Sequence, residues 1–315
     1  MKILVLGAGA IGGYFGGRLA ASGADATFLV RPARREQLVR DGLRVRSERG
    51  DLKLPVATVT AGELRADYDV VLLTCKAYDL DSAMADIAPA MQGGCAVLPL
   101  LNGMAHFERL DARFGASHVI GGTCSINSTL RPDGVIHHGG SLQRLVFGER
   151  DGAQSPRAKA FAAALGATTI DWELSPDIEQ DLWEKIVFLS ALAATTCLFR
   201  ANVGEINTAA GGTAVMERAL AANAEIARRS GRAPRPEAVE FANRGLLDPD
   251  GTWSASMLRD LEAGGRVESD HVIGWMLDRA RALGVEDTVL STAFTHLKAY
   301  EARRAAGRLP LGTGG

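Results

Sequence analysis

Three glycines near the start of the chain have the spacing that dinucleotide recognition requires. They form a G-x-G-x-x-G pattern, with an apolar run over 3–6 before it and a helical pattern over 13–21 after it. In such a turn the glycines allow a tight bend, close approach of the pyrophosphate and close helix–strand packing, while the helix N-terminus attracts phosphate. The expected cofactor contacts are Gly7, Gly9, Ala10, Ile11 and Gly12. The alternative is a glycine turn in some other α/β protein.

The residue after the second predicted strand indicates which dinucleotide binds. The strand over 26–30 is followed by Arg31, where NAD-binding chains usually carry an acid that accepts a hydrogen bond from the ribose 2′-OH. A guanidinium instead binds a 2′-phosphate through charge-assisted hydrogen bonds. We therefore predict NADPH as the cofactor. The alternative is that Arg31, Arg34 and Arg35 form a solvated run at a helix start.

Two polar residues follow further predicted strands. Lys76 comes after the apolar run 69–74, and Asn102 follows the run 95–101. Ligands of open parallel sheets bind beyond the carboxyl ends of the strands, so both residues are candidate ligand contacts. The alternative for each is a surface-loop residue, and Asn102-Gly103 is also a common turn sequence.

The second half of the chain offers a lysine and two carboxylates. Lys185 stands at the edge of an apolar helix, with Glu184 beside it as a potential partner. Burial would make Lys185 a general acid, whereas a snorkelling lysine would only reach for solvent. Glu268 and Asp270 precede an apolar run, where carboxylates in a first helical turn commonly compensate the helix dipole.

The composition is that of a soluble globular protein. The chain has 315 residues, 47% of them hydrophobic and 23% charged, with a net charge of −2. This length predicts two domains, and the charge gives no electrostatic case for nucleic acid. No signal peptide or membrane span is expected. Four widely spaced cysteines predict reduced thiols in a cytoplasmic protein, and no metal site is expected, because the adjacent His137 and His138 would face opposite sides of a strand.

The order of strand and helix patterns predicts the fold class. Apolar runs separated by helical stretches indicate a parallel sheet covered on both faces. Its predicted later members are 69–74, 95–101 and 118–126, followed by an antiparallel pair of 134–138 and 142–147 that turns at Gly139-Gly140. Beyond Trp172 only helical patterns remain. They cover 177–199, 212–230, 236–244, 254–262, 270–283 and 285–304.

We therefore predict an α/β protein in which an N-terminal Rossmann-type parallel-sheet domain is followed by an all-helical C-terminal domain. The nucleotide domain is expected to span residues 1–172 and the helical substrate and catalytic domain residues 173–306. Residues 307–315 contain five Gly or Pro and are expected to form a disordered tail.

Several short segments together resemble the ketopantoate reductase (2-dehydropantoate 2-reductase) family over nearly the whole chain. They are Gly7–Gly12, Arg31, Cys75–Tyr78, Leu101–Met104, Leu182–Lys185, Ser256–Asp260 and Glu268–Asp270. The resemblance implies NADPH-dependent reduction of a 2-oxo acid, in the first place ketopantoate to pantoate in pantothenate biosynthesis. It also implies an active site in the cleft between a Rossmann domain and a helical domain.

The same resemblance implies a role for each cofactor candidate. Arg31 and Lys76 match family positions at the adenosine 2′-phosphate end. Asn102 matches an asparagine near the nicotinamide and the substrate.

The remaining candidates match positions that act on the substrate. Lys185 matches the catalytic lysine that protonates the carbonyl oxygen as the hydride arrives, which also stabilises the nascent alkoxide. Glu268 matches the acid that anchors the substrate hydroxyl and orients the lysine, and Ser256 matches a serine that holds the carboxylate.

Three positions depart from the family pattern. Asparagines often follow the catalytic lysine by four and eight residues, but here those positions hold Leu189 and Ala193. A further asparagine three residues before the substrate serine is replaced by Trp253. We therefore expect a more apolar pocket and a bulkier or less hydroxylated 2-oxo acid.

Two other functions fit the same features. An opine-type dehydrogenase would join an amino acid to a 2-oxo acid, and an NADP-sensing protein would bind the cofactor without turnover. Retention of Lys185 and Glu268 argues against the sensor. The expected partners are a small-molecule 2-oxo acid and, in a homodimer, a second copy of the chain.

Overall fold

The computed structural model describes residues 1–309 and divides the chain into two compact units. The first comprises residues 1–101 and 106–179, and the second comprises residues 102–105 together with the chain from 180 onward. The segment 102–105 therefore clusters with residues far along the chain. From residue 310 onward, the tail expected at 307–315 lies outside the described residues.

The first unit alternates strands and helices. In chain order they are β1 (Lys2–Leu6), α1 (Ala10–Ala21), β2 (Asp25–Leu29), α2 (Pro32–Asp41), β3 (Leu43–Ser47), β4 (Leu52–Leu54), β5 (Ala57–Val59), β6 (Val70–Leu73), α3 (Leu80–Ile87), β7 (Ala96–Pro99), α4 (Ala105–Phe114), β8 (Gly121–Leu130), β9 (Val135–Gly148), α5 (Pro156–Gly166) and β10 (Asp171–Leu174).

Five of these strands form the predicted parallel sheet, in the order β5-β2-β1-β6-β7. All of its pairs are parallel, and Leu4 of β1 lies between Thr27 and Val71 of the neighbouring strands. β6 and β7 are buried along their whole length, which explains why they read as continuous apolar runs. The predicted Rossmann-type sheet is confirmed.

A second, mixed sheet holds the remaining strands and corrects one prediction. Residues 134–138 and 142–147 are not two strands of a hairpin, because both belong to β9. The residues 139–142 form a bulge opposite the single residue Asn127 of β8. The hairpin turn lies earlier, at Pro132-Asp133-Gly134, where Gly134 has a φ of +80°. This proline–aspartate–glycine sequence is a stronger turn signal than the glycine pair that suggested the wrong turn.

The predicted parallel strand 118–126 is also largely wrong. Only Val119 makes a parallel bridge, with Val97 beside it. From Gly121 onward the chain runs antiparallel to β9. An apolar run has the same composition in either sheet, so the sequence pattern did not reveal its partner.

Helix α1 lies between the two sheets and uses glycines on both faces. A Cβ at Gly16 would lie 2.9 Å from the ring of Phe28 in the parallel sheet. A Cβ at Gly17 would lie 2.7 Å from Leu43 in the mixed sheet. The pair Gly12–Gly13 repeats this arrangement one turn earlier. Because neither face has room for a side chain, the helix start is held firmly at the ends of the strands.

The second unit consists of helices and connecting loops, with no strand among its described residues. Its helices are α6 (Ile178–Phe199, which starts two residues before the unit does), α7 (Val203–Thr208), α8 (Gly212–Arg229), α9 (Pro236–Leu246), α10 (Ser256–Glu262), α11 (Trp275–Leu283) and α12 (Thr288–Ala305). A π-helical turn, Asp270–Gly274, leads directly into α11. All but α7 were predicted, within a few residues at each end. The predicted fold class is confirmed.

Helix α6 is the core helix that its sequence predicted. Within residues 1–309 it is the one helix long and apolar enough to cross a membrane, judged by length and composition alone. Of its most apolar stretch, 67% is buried inside the protein. That burial is the pattern of a core helix in a globular unit.

Candidate active site

The glycine turn has the geometry that its sequence predicted. Gly7 has a φ of +91°, which favours glycine, and its N–H donates to the carbonyl oxygen of Leu29 over 2.9 Å. A Cβ at Gly12 would lie 2.2 Å from the carbonyl oxygen of Gly7 and 2.4 Å from Oγ1 of Thr74. The first turn of α1 therefore rests directly on the chain that leaves β1 and on the end of β6.

The opposite side of this turn is open. Apart from its own residue and its two chain neighbours, no described atom lies within 4 Å of the position that a Cβ would take at Gly9, the residue that precedes α1. The first turn of α1 carries no acidic side chain, and its first N–H groups have no partner within the helix. An open backbone surface with a positive dipole end fits a pyrophosphate.

The three arginines after β2 have different surroundings. Arg34 donates to the carbonyl oxygen of Ala8 from Nη2 over 2.8 Å and from Nε over 3.2 Å. Arg35 binds both carboxylate oxygens of Glu63, over 2.7 and 2.9 Å. Arg31 is exposed; its carbonyl oxygen accepts from the N–H of Arg35 over 3.0 Å, and its guanidinium makes no hydrogen bond or ion pair within residues 1–309. The interpretation as a solvated run is therefore wrong for Arg34, whereas Arg35 forms a partly exposed ion pair at the surface.

The surroundings of these arginines also change pKa values, both of a carboxyl partner and of one of the arginines. Hydrogen bonds from Arg35 and from Thr60 lower the pKa of the Glu63 carboxyl to about 2. Burial lowers the pKa of Arg34, and the nearby Arg44 adds to the effect, but a guanidinium remains charged near neutral pH. The carboxyl end of β2, beside the glycine turn, thus keeps its positive charge. Arg31 is the exposed arginine of the three.

Lys76 and Asn102 both follow strands of the parallel sheet. Lys76 lies three residues beyond β6, half-buried, at the start of a short helical turn in which its carbonyl oxygen accepts from the N–H of Asp79. Asn102 lies three residues beyond β7 and is also half-buried. The predicted location of both residues beyond strand ends is therefore correct, while their ligand contacts stay predictions.

The loop that carries Asn102 packs against the residues that follow Glu268. Gly103 has a φ of +84°, and a Cβ there would lie 2.2 Å from the carbonyl oxygen of His271. His271 belongs to the π-helical turn, and the N–H of Val272 in that turn donates to the carbonyl oxygen of Glu268 over 3.3 Å. Two candidate residues that are 166 positions apart by their numbers are thereby held in one unit.

Lys185 lies half-buried on α6, next to a carboxylate with other partners. Glu184 accepts from Arg235 over 2.6 and 2.8 Å and from Gln180 over 2.9 Å. Burial alone would raise the pKa of Glu184, but these hydrogen bonds outweigh it and lower the pKa. Glu184 therefore links α6 to the start of α9.

The two carboxylates before α11 differ sharply in their exposure to solvent. Glu268 is only 7% exposed, whereas Asp270 is on the surface and pairs with Lys298 over 3.0 Å. Between them, Ser269 donates to Glu301 over 2.7 Å. Helical irregularities of this π type often occur at functional sites. Burial therefore favours Glu268 over Asp270 as a functional group.

Ser256 is the first residue of α10 and is half-buried. Its position is fixed through its neighbour Ala255, whose N–H donates to Oγ1 of Thr196 on α6 over 3.4 Å. The departures from the family pattern also lie in this unit. Ala193 is buried, Leu189 is half-buried and Trp253 is 45% exposed.

Aromatic contacts in this unit were not expected from the sequence. Trp183 and Trp275 lie with ring centroids 5.3 Å apart, and the guanidinium of Arg279 lies 3.4 Å from the Trp275 ring centroid. Phe188 and Trp253 also contact each other, at 5.8 Å. The sequence does place aromatic residues near the candidate site residues. Phe188 follows Lys185 by three positions, and Trp253 precedes Ser256 by three.

A glycine turn on a parallel sheet, joined to a helical unit with a half-buried lysine, defines the class of nucleotide-binding oxidoreductases. Two family models match the chain: ketopantoate reductase PanE/ApbA over residues 3–152, and the C-terminal part of ketopantoate reductase PanE/ApbA over residues 177–301. The chain belongs to the ketopantoate reductase family of oxidoreductases.

Individual relatives agree with this assignment. An uncharacterized oxidoreductase, YkpB, from Bacillus subtilis (strain 168) is 36% identical over 304 residues, covering 96% of this chain and 100% of the relative. The crystal structure of a ketopantoate reductase from Ralstonia eutropha JMP134 is 25% identical, with a TM-score of 0.86 over 97% of this chain and 100% of that one. A ternary structure of D-mandelate dehydrogenase with NADH and anilino(oxo)acetate shares the fold, with a TM-score of 0.85 at 20% identity over 97% and 100% of the two chains.

Proposed function

We propose that this protein catalyses the NADPH-dependent reduction of a 2-oxo acid to a 2-hydroxy acid. The observation that carries the proposal is the half-buried Lys185 on the core helix of a chain that matches the ketopantoate reductase family over both of its units. A lysine in that setting can donate a proton to a carbonyl oxygen as it becomes an alkoxide.

The first unit would hold the cofactor. Gly7, Gly9 and Gly12, with the N–H groups of Ala10 and Ile11, would take the pyrophosphate at the start of α1. The open space at Gly9 supports this assignment.

Two cations would recognise the adenosine end of the cofactor. Arg31 would bind the 2′-phosphate, with Lys76 near the same end. The separate engagement of Arg34 and Arg35 supports Arg31 in this role, because it is the exposed arginine of the run.

The second unit would hold the substrate. Lys185 would donate its proton to the carbonyl oxygen, and Glu268 would orient that lysine and anchor the substrate hydroxyl. Ser256 would bind the carboxylate, and Asn102 would contact both substrate and nicotinamide. The bound nicotinamide would supply the hydride. The packing of the Asn102 loop against the turn that follows Glu268 supports this grouping.

The identity of the 2-oxo acid would depend on the side chains that surround it near Lys185. Leu189, Ala193 and Trp253 replace the amides of the family pattern, so the chain offers fewer hydrogen bonds to a hydroxylated side chain. We therefore propose ketopantoate or a related, less polar 2-oxo acid as substrate. We also propose that the enzyme acts in the cytoplasm and as a homodimer.

A spectrophotometric assay tests the proposal. NADPH and NADH oxidation would be followed with ketopantoate, 2-oxoisovalerate and an aromatic 2-oxo acid, each with and without added amino acids. Oxidation with a 2-oxo acid alone is the expected result. Strict dependence on an added amino acid would instead identify an opine-type dehydrogenase. Tight NADPH binding without oxidation of any mixture would identify a sensing protein.

A further inference from the structure

Three aromatic side chains of the second unit form a cluster, and two of them lie three residues in sequence from residues proposed to bind the substrate. Phe188 of α6, Phe241 of α9 and Trp253 each contact the other two, with ring centroids 5.3, 5.8 and 5.9 Å apart. These separations lie in the range of favourable aromatic pairs. We call these three residues the aromatic wall.

The aromatic wall is not part of the buried core. Phe241 is 48% exposed and Trp253 is 45% exposed. Large aromatic side chains leave much apolar area in contact with water at this exposure, and such patches often mark binding surfaces. The wall therefore has area available for a further ring.

The wall is also held in place from behind. A Cβ at Gly245 would lie 2.7 Å from Cζ3 of Trp253 and 3.3 Å from Phe188. The absence of a side chain at Gly245 thus lets the indole lie directly on the backbone of α9. The backbone of Trp253 is also held in place, because its carbonyl oxygen accepts from the N–H of Val203 over 2.9 Å. A preorganised surface loses less conformational entropy on binding than a mobile one.

The position of the wall connects it to the chemistry. Phe188 follows Lys185 by three residues on α6, which places both on neighbouring positions of one helix face. Trp253 precedes Ser256 by three residues. Lys185 is the proposed partner of the substrate carbonyl and Ser256 that of its carboxylate. The third substituent of a 2-oxo acid is its side chain, which leaves the aromatic wall as its neighbour.

We propose, on the basis of the proposed function, that the aromatic wall selects 2-oxo acids whose side chain is an aromatic ring. The ring packs against Trp253 and Phe241, and Phe188 keeps it next to Lys185. Phenylglyoxylate is the simplest such compound, and cyclohexylglyoxylate is a probe of similar size without an aromatic ring.

The test compares kcat/KM for three compounds with NADPH. We expect phenylglyoxylate to exceed 2-oxoisovalerate at least about tenfold, because added apolar contact is discriminated at this level. It should exceed cyclohexylglyoxylate about threefold to tenfold, which is the range of an aromatic pair. Trp253→Leu and Phe241→Leu should abolish the preference over cyclohexylglyoxylate. Phe199→Leu is the matched control, since Phe199 is 46% exposed on the same helix as Phe188 but outside the wall.

Binding gives a second readout that does not need turnover. The chain has four tryptophans, and phenylglyoxylate added to the protein with NADP⁺ should quench the fluorescence of Trp253. Trp253→Phe should remove most of the quenching, whereas Trp172→Phe should retain it. Quenching that survives in Trp253→Phe would contradict the inference.

The outcomes separate this inference from the proposed function. If no 2-oxo acid is reduced, the proposed function fails. If 2-oxo acids are reduced but the two ring compounds are equivalent, or the leucine variants keep the wild-type ratio, only the aromatic wall fails. It would then be a surface cluster that holds α9 against α6.

Discussion

Arg34 donates two hydrogen bonds to the carbonyl oxygen of Ala8, the residue between the first two glycines of the nucleotide turn. A side chain that follows the second strand thereby fixes the backbone that follows the first. The Arg34 guanidinium is engaged in this contact, and the Arg35 guanidinium in its ion pair with Glu63, so both already have protein partners. Cofactor discrimination should therefore depend on Arg31.

We expect NADPH to be preferred over NADH, and Arg31→Asp to raise the KM for NADPH and narrow or reverse the preference. Loss of a charged phosphate contact should cost about 1.5–3 kcal/mol. The measurement is kcat/KM with both cofactors. Arg35→Ala serves as the control and should keep the preference. Equal wild-type kinetics with NADPH and NADH would refute this prediction.

Lys185→Ala should lower kcat strongly while the Kd for NADPH stays near its wild-type value. Loss of a general acid reduces rates by about a hundredfold to ten-thousandfold. Steady-state kinetics and cofactor titration separate the two quantities. Lys159→Ala, at an exposed position on α5, should change neither. Turnover of Lys185→Ala within a few-fold of wild type would mean that Lys185 only snorkels to solvent.

The enzyme should show no marked preference for ketopantoate over 2-oxo acids without its terminal hydroxyl. A site built to hydrogen-bond a hydroxyl discriminates strongly for it, whereas an apolar site does not. Leu189, Ala193 and Trp253 stand where amides would provide those bonds. The test is kcat/KM for ketopantoate against 2-oxoisovalerate. A ratio of about a thousand or more, on the order of 4 kcal/mol, would show that other residues replace the amides.

Gly103→Ala should destabilise the protein by about 2–5 kcal/mol. A side chain at a φ of +84° is strained, and its Cβ would overlap the carbonyl oxygen of His271. Gly23 is a matched control, because its φ is +88° but no atom lies within 4 Å of its Cβ position. Gly23→Ala should therefore cost only about 1–2 kcal/mol. Urea unfolding measures both variants, and equal losses would show that the contact with His271 is not tight.

Glu149 should contribute stability that depends on pH. Burial opposes its ionisation, but hydrogen bonds from Arg157 and Ser155 prevail and lower its pKa below the ordinary value of 4.5. The contribution is therefore present above about pH 4.5 and lost as the pH falls through the folded-state pKa. Glu149→Gln should be less stable than wild type near neutral pH, with a difference that shrinks in acid.

Unfolding free energies measured across that pH range check this sign. Glu240→Gln, at an exposed position of α9 beyond its first turn, is the control and should follow the wild-type curve throughout. A difference between Glu149→Gln and wild type that grows as the pH falls would contradict the argument.

The sequence predicted those parts of the fold that depend on local pattern. The glycine turn, the continuous apolar strands and the helical second unit all follow from spacing and periodicity. The choice of partner for the segment after Val119 does not, because the same apolar run suits either sheet. The bulge over 139–142 is not distinguished from a hairpin turn for a related reason, because glycine pairs occur both in bulges and in turns.

The candidate site shows a similar division. Motif spacing indicated which residues follow the strands and which helix carries the lysine. The contact between Gly103 and His271 joins distant parts of the chain, and no local pattern encodes it. The aromatic wall depends on how α6 and α9 pack, so its three members are unremarkable when each is read alone.

The paired glycines of α1 have a consequence for redesign of this enzyme. Helix α1 has no spare volume toward either sheet, so substitutions at Gly12, Gly13, Gly16 or Gly17 would damage the fold before they altered recognition. Laboratory evolution of cofactor or substrate range would therefore find its useful mutations in the segments around the helix. The turn after β2 and the surface of α9 are where this architecture leaves freedom to change.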